Sequence, residues 1–314
     1  MKRVFLTGGT GFIGAAIARR LIDHGIQIAI LIRPESSRWR LEDIVDRVQV
    51  VSGSLECRAS YEDGMMKFRP DTVMHLGWHG TKKGYRDHSD QARRNVLASV
   101  DLLECAAKAG CRTFLGAGSQ AEYGSSSEVI HEDSPTRPGT VYGAAKLATG
   151  VLLARIAALH EMRFAWLRIF SVYGPKDEAG TLVSYVVSEL LAGKCPAVST
   201  GAHLWDFLYV DDAAAAFIAI GESHVSGIVN IASGHPRPVR EMIERLRDEI
   251  DRSLPVGFGA VTDSLAAAEC LRAGISPLEQ IGWRATTTID SGVKQTVAWH
   301  REYHIRQGFA GRRI

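Results

Sequence analysis

The sequence is short of the features that mark a chain for a membrane, a metal or a nucleic acid. No apolar run reaches the ~20 residues needed to span a bilayer. The chain opens almost directly on Arg3-Val4-Phe5-Leu6, a strand pattern that leaves no room for a signal peptide. Its five cysteines, Cys57, Cys105, Cys111, Cys195 and Cys270, are odd in number and show no CxxC or His/Cys spacing. Neither a disulfide framework nor a metal site is therefore expected, and reduced thiols in a cytoplasm are the reading they support. Lys and Arg number 37 against 35 Asp and Glu, and a net charge of +2 gives no reason to expect nucleic acid or an anionic membrane as partner. Internal repeats and low-complexity segments are also absent. What is present, 46% hydrophobic and 23% charged residues over 314 positions, fits a globular chain of about two domains, or one large domain with a lobe.

Residues 3–32 read as strand, glycine loop, helix, strand. Val4-Phe5-Leu6-Thr7 is followed by Gly8-Gly9-Thr10-Gly11-Phe12-Ile13-Gly14 and then by the helical run Ala15 to Ile22; Gly25 caps that helix, and Ile26 to Ile32 is the next buried strand. In such a loop Gly8 permits the tight turn, Gly11 lets a pyrophosphate approach the backbone, and Gly14 lets helix pack on strand. The phosphates rest on the helix N-terminus, so the pattern predicts a dinucleotide site. An NAD site usually carries an acidic residue at the end of the second strand, to bond the ribose 2′-hydroxyl. Here that place begins Arg33-Pro34-Glu35-Ser36-Ser37-Arg38. Arg33 and Arg38 suit a 2′-phosphate, with Glu35 as an acidic competitor, so NADP(H) is favoured and NAD(H) stays possible.

Further strands are expected at 48–54, 71–77, 111–117, 164–170 and 228–231, with helices at 91–109, from Tyr142 through Leu159, at 181–192, after Asp212, at 238–250 and at 289–301. Strands alternating with helices predict an α/β fold, a Rossmann-type doubly wound parallel sheet. Residues 1–172 form the NAD(P)-binding domain, and 173–314 form a smaller mixed substrate-binding lobe, with some elements of 204–231 returning to the sheet. The polar stretch Trp78 to Asp90 falls at the carboxyl end of a strand, where open α/β sheets bind ligands. Tyr142 and Lys146, four apart, share one helix face. A phenol titrates near ~10 in water, and a neighbouring ammonium lowers that value, which makes the pair a candidate general acid/base. Alone, such spacing is usually only a solvated helix face. Arg237, Arg240 and Arg272 are candidate diphosphate ligands or plain surface arginines, and His75 reads as a strand-end residue beside the cofactor.

Taken together, TGGTGFIG at 7–14, HLG at 75–77, NVLAS at 95–99, GSQAEYG at 118–124, YGAAK at 142–146, LRIFSVYGP at 167–175, WDFLYVDD at 205–212 and IGW at 281–283 resemble the extended short-chain dehydrogenase/reductase family. The likeness is to its nucleotide-sugar epimerase/dehydratase/reductase branch and covers almost the whole chain. It implies that Tyr142 is the catalytic tyrosine, that Lys146 lowers its pKa and bonds the nicotinamide ribose, and that Ser119 bonds the reacting sugar oxygen. It further implies a cofactor cleft lined by Gly8, Thr10, Gly11, Phe12, Ile13, Gly14, Arg33 and Arg38, and by Ser54 and Leu55 after the third strand. Leu76, Gly77, Trp78, Asn95, Tyr142, Lys146, Phe170 and Val172 complete it. His79, Ser119, Gln120, Ser171 and Trp205 are implied on the substrate side, and a homodimer joined through a four-helix interface is the implied assembly.

The departures from the family pattern narrow the reaction. Dehydratases of this branch carry an Asp-Glu pair directly after the catalytic Ser/Thr, and here those places hold Gln120 and Ala121. The usual Asp near the adenine is Ser54, the common Asn of the LRxxNxYGP motif is Ser171, and the Arg of the RDF motif is Trp205. The combination is more similar to the deoxysugar 4-ketoreductases, of the CDP-abequose synthase type, than to UDP-galactose 4-epimerases. The expected reaction is therefore reduction of a keto group, at C4, on a nucleotide-activated deoxysugar, with Tyr142 as proton donor. An epimerase with tightly bound NAD is the alternative, and a non-catalytic cofactor-binding protein is a third reading.

Overall fold

The computed structural model describes residues 1–262 and 270–308, and its centre is a seven-stranded, all-parallel sheet. Six of its strands are β1 (Arg3–Thr7), β2 (Gln27–Ile32), β3 (Gln49–Ser52), β4 (Thr72–His75), β5 (Thr113–Ser119) and β6 (Arg163–Ile169). Gly227–Ile231 is the seventh, and pairs with β6 from Gly227↔Ala165 to Ile231↔Ile169. Across the sheet the order is β3-β2-β1-β4-β5-β6 and then Gly227–Ile231. The chain moves outward from β1 through β2 to β3, then restarts on the other side of β1 with β4. That reversal opens a crevice at the carboxyl ends of β1 and β4, the place where such sheets bind ligands.

Helices cover both faces: α1 (Phe12–Asp23), α2 (Glu62–Phe68), α3 (Leu97–Lys108), α4 (Val141–Leu159), α5 (Leu182–Leu191), α6 (Val210–Glu222), α7 (Val239–Ile250), α8 (Ser276–Gln280) and α9 (Ile289–Gly308). Side chains alternate along each strand, so one sheet feeds two cores. Val4, Leu6, Ile28 and Ile30 pack on the side of α1 and α6. Phe5, Ala29, Leu31, Val73, Phe114 and Trp166 pack on the side of α2, α3 and α4. Each large side chain buried this fully contributes roughly 1.5–3 kcal/mol.

Several boundaries differ from the sequence expectation. β5 starts later, at Thr113, and runs on through Gly118 to Ser119, so that Ser119 is the last residue of the strand. The helix expected at 91–109 begins as a π-turn, Ala92–Val96, before α3. α2 was not anticipated, because a seven-residue helix with only Met65 and Phe68 buried shows no periodicity to read. α4 is long and apolar enough, by length and composition, to cross a membrane, with a mean hydropathy of 1.3, against the expectation that no such stretch exists. Lys146 and Arg155 interrupt its apolar runs while its many alanines and leucines carry the average. The helix packs against β5 and β6 and buries Lys146 and Thr149, which marks it as a helix of the protein's core.

After β6, the short strand β7 (Ser171–Tyr173) pairs in parallel with Phe207–Tyr209. α6 packs against α1, while α5, α7 and α9 pack on one another. Two acids of the 205–212 motif hold this half together. Buried Asp206 accepts from the Ser233 amide and hydroxyl and from the Gly234 amide, and buried Asp212 accepts from Thr286 and Thr287.

Candidate functional site

The glycine loop between β1 and α1 is shaped for a ligand that lies close to the backbone. Gly8 has φ +72°, and a Cβ there would stand 2.6 Å from the Leu76 carbonyl carbon and 2.7 Å from the Gly77 nitrogen. A Cβ on Gly14 would stand 2.2 Å from the Gly8 oxygen. The loop therefore sits directly on the end of β4 and on its own helix, which only glycine allows. Gly11 caps α1 with extended backbone and offers no side chain to the first helical amides. Those amides and the helix dipole are left to an anion, so the residues present fit the pyrophosphate of a dinucleotide. Thr10, Phe12 and Ile13 are half-buried in the same turn. Leu55 packs over Gly77, at 2.5 Å from the position a Cβ there would take, which brings the 54–55 turn to the end of β4. Arg33 and Arg38 are exposed after β2, and Arg33 faces Glu35 at 3.4 Å.

Ser119, Tyr142 and Lys146 converge beside this crevice, and all three are buried. The Ser119 hydroxyl donates to Gln120 Oε1 at 3.0 Å and accepts from the Ala121 amide at 3.2 Å. Thr140 caps α4 by accepting from the Gly143 amide at 3.1 Å, which starts the helix at Val141, one residue before Tyr142. Lys146 Nζ donates to the Ala117 carbonyl at 2.6 Å and lies 6.0 Å from the centre of the Tyr142 ring. Burial lowers the Lys146 pKa to about 7, against a smaller upward pull from Glu122. Burial also raises the Tyr142 pKa, while hydrogen bonding with the Ser119 side chain and the charge of Arg86 oppose it. The pKa-lowering role that the resemblance implies for Lys146 would act across the 6.0 Å between its Nζ and the Tyr142 ring centre. Its ammonium is engaged with Ala117 and itself largely desolvated.

The loop that follows β4 does more than face a ligand. The Tyr142 amide donates to the Arg86 carbonyl at 2.7 Å, and the Val141 amide donates to Asp87 Oδ1 at 3.1 Å. The Arg86 guanidinium stands 5.4 Å from the centre of the Tyr142 ring. The Trp78 ring meets the Tyr142 ring edge-on at 6.1 Å and presents its face to Lys146 Nζ at 3.7 Å. Inside the loop, Gln91 is 2% exposed and forms the hub. It accepts from Trp78 Nε1 at 2.8 Å and donates to the Gly80 and Tyr85 carbonyls. Asn95, in the π-turn, accepts from the His79 amide and donates to the His79 and Gln91 carbonyls, so it ties the loop to α3. π-turns of this kind recur at functional sites. Gln91, Arg86 and Asp87 were not singled out from the sequence. The signal available was the length and polarity of the 78–90 stretch, not the identity of these residues.

The remaining candidates are distributed as follows. His79 is half-buried and meets Arg94, which pairs with Glu56 at 2.6 Å. His75 is fully enclosed between Thr7 Oγ1 at 2.8 Å and Ser99 Oγ at 2.9 Å. Burial first, and then the charge of Lys146, hold its pKa down to about 3. Phe170 is buried against Tyr123, with Ser171 and Val172 half-buried beyond it. Trp205 meets His203 and Phe207 with its ring tilted against both, and its buried Nε1 has no partner among the described residues. Arg237, just before α7, pairs with Glu241, Arg240 pairs with Glu244 on α7, and Arg272 bonds the Ser127 carbonyl. Among the described residues, no group of three or more His, Cys, Asp or Glu is arranged to hold a metal.

Behind Ser119 stands a carboxylate that the motif did not explain. Glu122 is 0% exposed. It accepts from the Ser119 amide and Trp166 Nε1, both at 2.8 Å, and from Arg168 Nε at 2.7 Å. With three hydrogen bonds from protein donors and no exposure to solvent, it braces the end of β5.

Residues 4–232 match the model of the NAD dependent epimerase/dehydratase family. A glycine-loop crevice beside a Ser-Tyr-Lys cluster on a doubly wound sheet agrees with it, and the chain belongs to that family. It is 29% identical to a UDP-glucose 4-epimerase of Azospirillum brasilense, over 98% of this chain and 95% of the relative. It is 24% identical to CDP-abequose synthase of Salmonella muenchen, over 95% and 97%. Its fold matches that of the Thermus thermophilus UDP-glucose 4-epimerase in complex with NAD, with a TM-score of 0.85 at 24% identity, over 95% of this chain and 99% of that one.

Proposed function

We propose that this enzyme reduces a keto group, at C4, of a nucleotide-activated deoxysugar, with NADPH as the favoured cofactor. The observation that carries the reading is the carboxylate inventory beside Ser119. Gln120 and Ala121 carry no carboxylate, and Glu122 is buried and takes three hydrogen bonds from the Ser119 amide, Trp166 and Arg168. Dehydration, which must move a proton to and from carbon and a leaving hydroxyl, is disfavoured by the absence of the Asp-Glu pair at 120 and 121. Reduction asks only for one proton donor and one oxygen ligand.

When bound, the nicotinamide supplies the hydride. Tyr142 gives its proton to the alkoxide oxygen, and the Ser119 hydroxyl turns from Gln120 to donate to the same oxygen, stabilising charge where it forms. A phenol whose pKa burial raises is protonated at neutral pH, which suits the donor role. Lys146 answers the phenolate that remains and returns it to the neutral state. Arg33 and Arg38 hold the 2′-phosphate, and the outer sides of α3 and α4, where Leu97, Val151 and Leu152 are exposed, join two copies as a homodimer.

The test is a panel of nucleotide 4-keto-sugars assayed with NADPH and with NADH. Stoichiometric loss of the nicotinamide absorbance is expected, and its abolition by Tyr142→Phe. NADPH left untouched by every keto-sugar, with a plain nucleotide hexose epimerised, would overturn the proposal. That second outcome is favoured by the 29% identity to a UDP-glucose 4-epimerase. It uses the same Tyr142, with the hydride returned to the opposite face of the sugar.

A further inference from the structure

Lys146 is held in an unusual way for a group meant to carry charge. Its Nζ has one oxygen partner in the structure, the Ala117 carbonyl, and two indole rings, Trp78 at 3.7 Å and Trp166 at 5.8 Å. Trp166 is fully buried in the core and is expected to be immobile. Trp78 is different: it lies on the crevice side, half-buried, at the root of a polar loop. A tryptophan there could swing freely, yet its indole N–H is bonded to Gln91, which is buried and anchored by the Gly80 and Tyr85 carbonyls and by Asn95. The same loop binds the first turn of α4 through Arg86 and Asp87. The side chain that covers Lys146 and the backbone that fixes Tyr142 thus belong to one closed unit.

We propose that Trp78, anchored by Gln91, is a positioning residue for the Tyr142–Lys146 pair: its indole face confines the Lys146 ammonium and shuts water away from it, while its edge seats the Tyr142 ring. The proposal rests on reading Tyr142 and Lys146 as the reacting pair. A ring face attracts an ammonium, the more so when both are out of water. A confined ammonium acts more strongly on a phenolate than a hydrated one, because little water screens the pair. The other titratable groups that face Lys146 are Glu122 after β5, His75 on β4 and Tyr142 on its own helix, with Arg86 acting on Tyr142 from the loop. Trp78 sets the exposure of Lys146 to water without itself titrating.

The test is direct titration of Lys146 by NMR in the full-length protein with 13C-labelled lysine, assigned through Lys146→Met, with no sugar and no turnover. The wild-type ammonium is expected to titrate near 7, where burial places it. Trp78→Ala lets water in, and because burial is the main cause of the depression the midpoint should rise by about one unit or more. Trp78→Phe keeps a ring face and should hold the midpoint near the wild-type value; Gln91→Leu, which leaves the indole in place but unanchored, should fall between the two. In any assay with turnover, kcat should fall about tenfold or more in Trp78→Ala, with partial recovery in Trp78→Phe, since misplacement of a reacting group is costly. A midpoint unmoved in Trp78→Ala, or equally displaced in Trp78→Phe, overturns the proposal. An enzyme that epimerises instead of reducing gives the same titration, so failure of the proposed reaction leaves this result standing, and the reverse.

Discussion

Arg168→Met is the most informative single change to the frame behind Ser119. Arg168 and Glu122 are both buried, and the Nε–Oε2 contact is 2.7 Å. Without the guanidinium, the Glu122 carboxylate keeps only two neutral donors, the Ser119 amide and the Trp166 indole. Breaking a buried pair by removing one partner costs about 3–5 kcal/mol, because the other charge stays dry and uncompensated. That is a large share of the ~5–15 kcal/mol that holds a typical protein folded. At about 2 °C per kcal/mol for a chain of this size, the melting midpoint should fall by roughly 6–10 °C. Adding Glu122→Gln removes the stranded charge, so the double variant should recover at least ~1 kcal/mol over Arg168→Met alone. Thermal melts followed by circular dichroism at pH 7.5 measure both. A single variant melting within about 2 °C of the parent, or a double variant weaker than the single by the full cost of a second lesion, would refute the account of this pair as a buried, mutually dependent brace.

Acid stability should carry the mark of His75. Its folded pKa, about 3, lies below the unfolded ~6.5, so its contribution is present above pH 6.5 and is lost as pH falls toward 3. Between pH 7.5 and 5 the loss is about 2 kcal/mol, and His75→Gln, which cannot gain a proton, should flatten that part of the melting-midpoint curve; an unchanged slope would count against it. Arg33→Ala with Arg38→Ala should raise KM for NADPH about tenfold or more and leave KM for NADH nearly unchanged, since charge-assisted bonds to a phosphate are lost; equal effects on both cofactors would remove the arginines from that role. The proposed homodimer should be lost, by sedimentation, in Leu97→Glu with Leu152→Glu, which places charge on the exposed apolar side of α3 and α4; a parent that sediments as a monomer, or a variant that stays dimeric, would refute that interface.

The parts of this molecule that were legible in the sequence are those in which a local pattern states a backbone need. Gly8 and Gly14 appear because no side chain fits where the loop meets β4 and α1. The unbroken apolar run Val4, Phe5 and Leu6 appears because a strand covered on both faces is apolar at every position. Tyr142 and Lys146 were visible as a helical spacing and gained meaning from the motifs around them. What was hidden depends on contacts between distant segments. Glu122 reads as one letter of a loop motif, and only β6, which brings Trp166 and Arg168 beside it, makes it a buried brace. Gln91 gives no signal at all, since its role exists only once the 78–91 loop has closed. Asp206 and Asp212 of the 205–212 motif bind backbone amides and hydroxyls of loops 27 to 75 residues away, contacts that no local pattern announces.

Reduction and epimerisation would both use Ser119, Tyr142 and Lys146, so the difference between them has to arise elsewhere in the chain. An epimerase takes its hydride back and needs the cofactor held through both halves of the cycle, whereas a reductase must release the spent cofactor at every turnover. The side chains assigned to the ribose phosphate, Arg33 and Arg38, are exposed. Arg33 is 50% exposed and faces Glu35 in its own loop, an ion pair of little energetic weight. An anchor of exposed charge releases its ligand readily and is screened by salt, and the Debye length shrinks from about 10 Å at 0.1 M to about 3 Å at 1 M. The reductase reading therefore predicts that KM for NADPH rises several-fold as about 0.5 M salt is added. It also predicts that the purified protein loses cofactor on dialysis. Stoichiometric NAD that survives dialysis in high salt, together with a KM for NADPH indifferent to salt, would favour the epimerase.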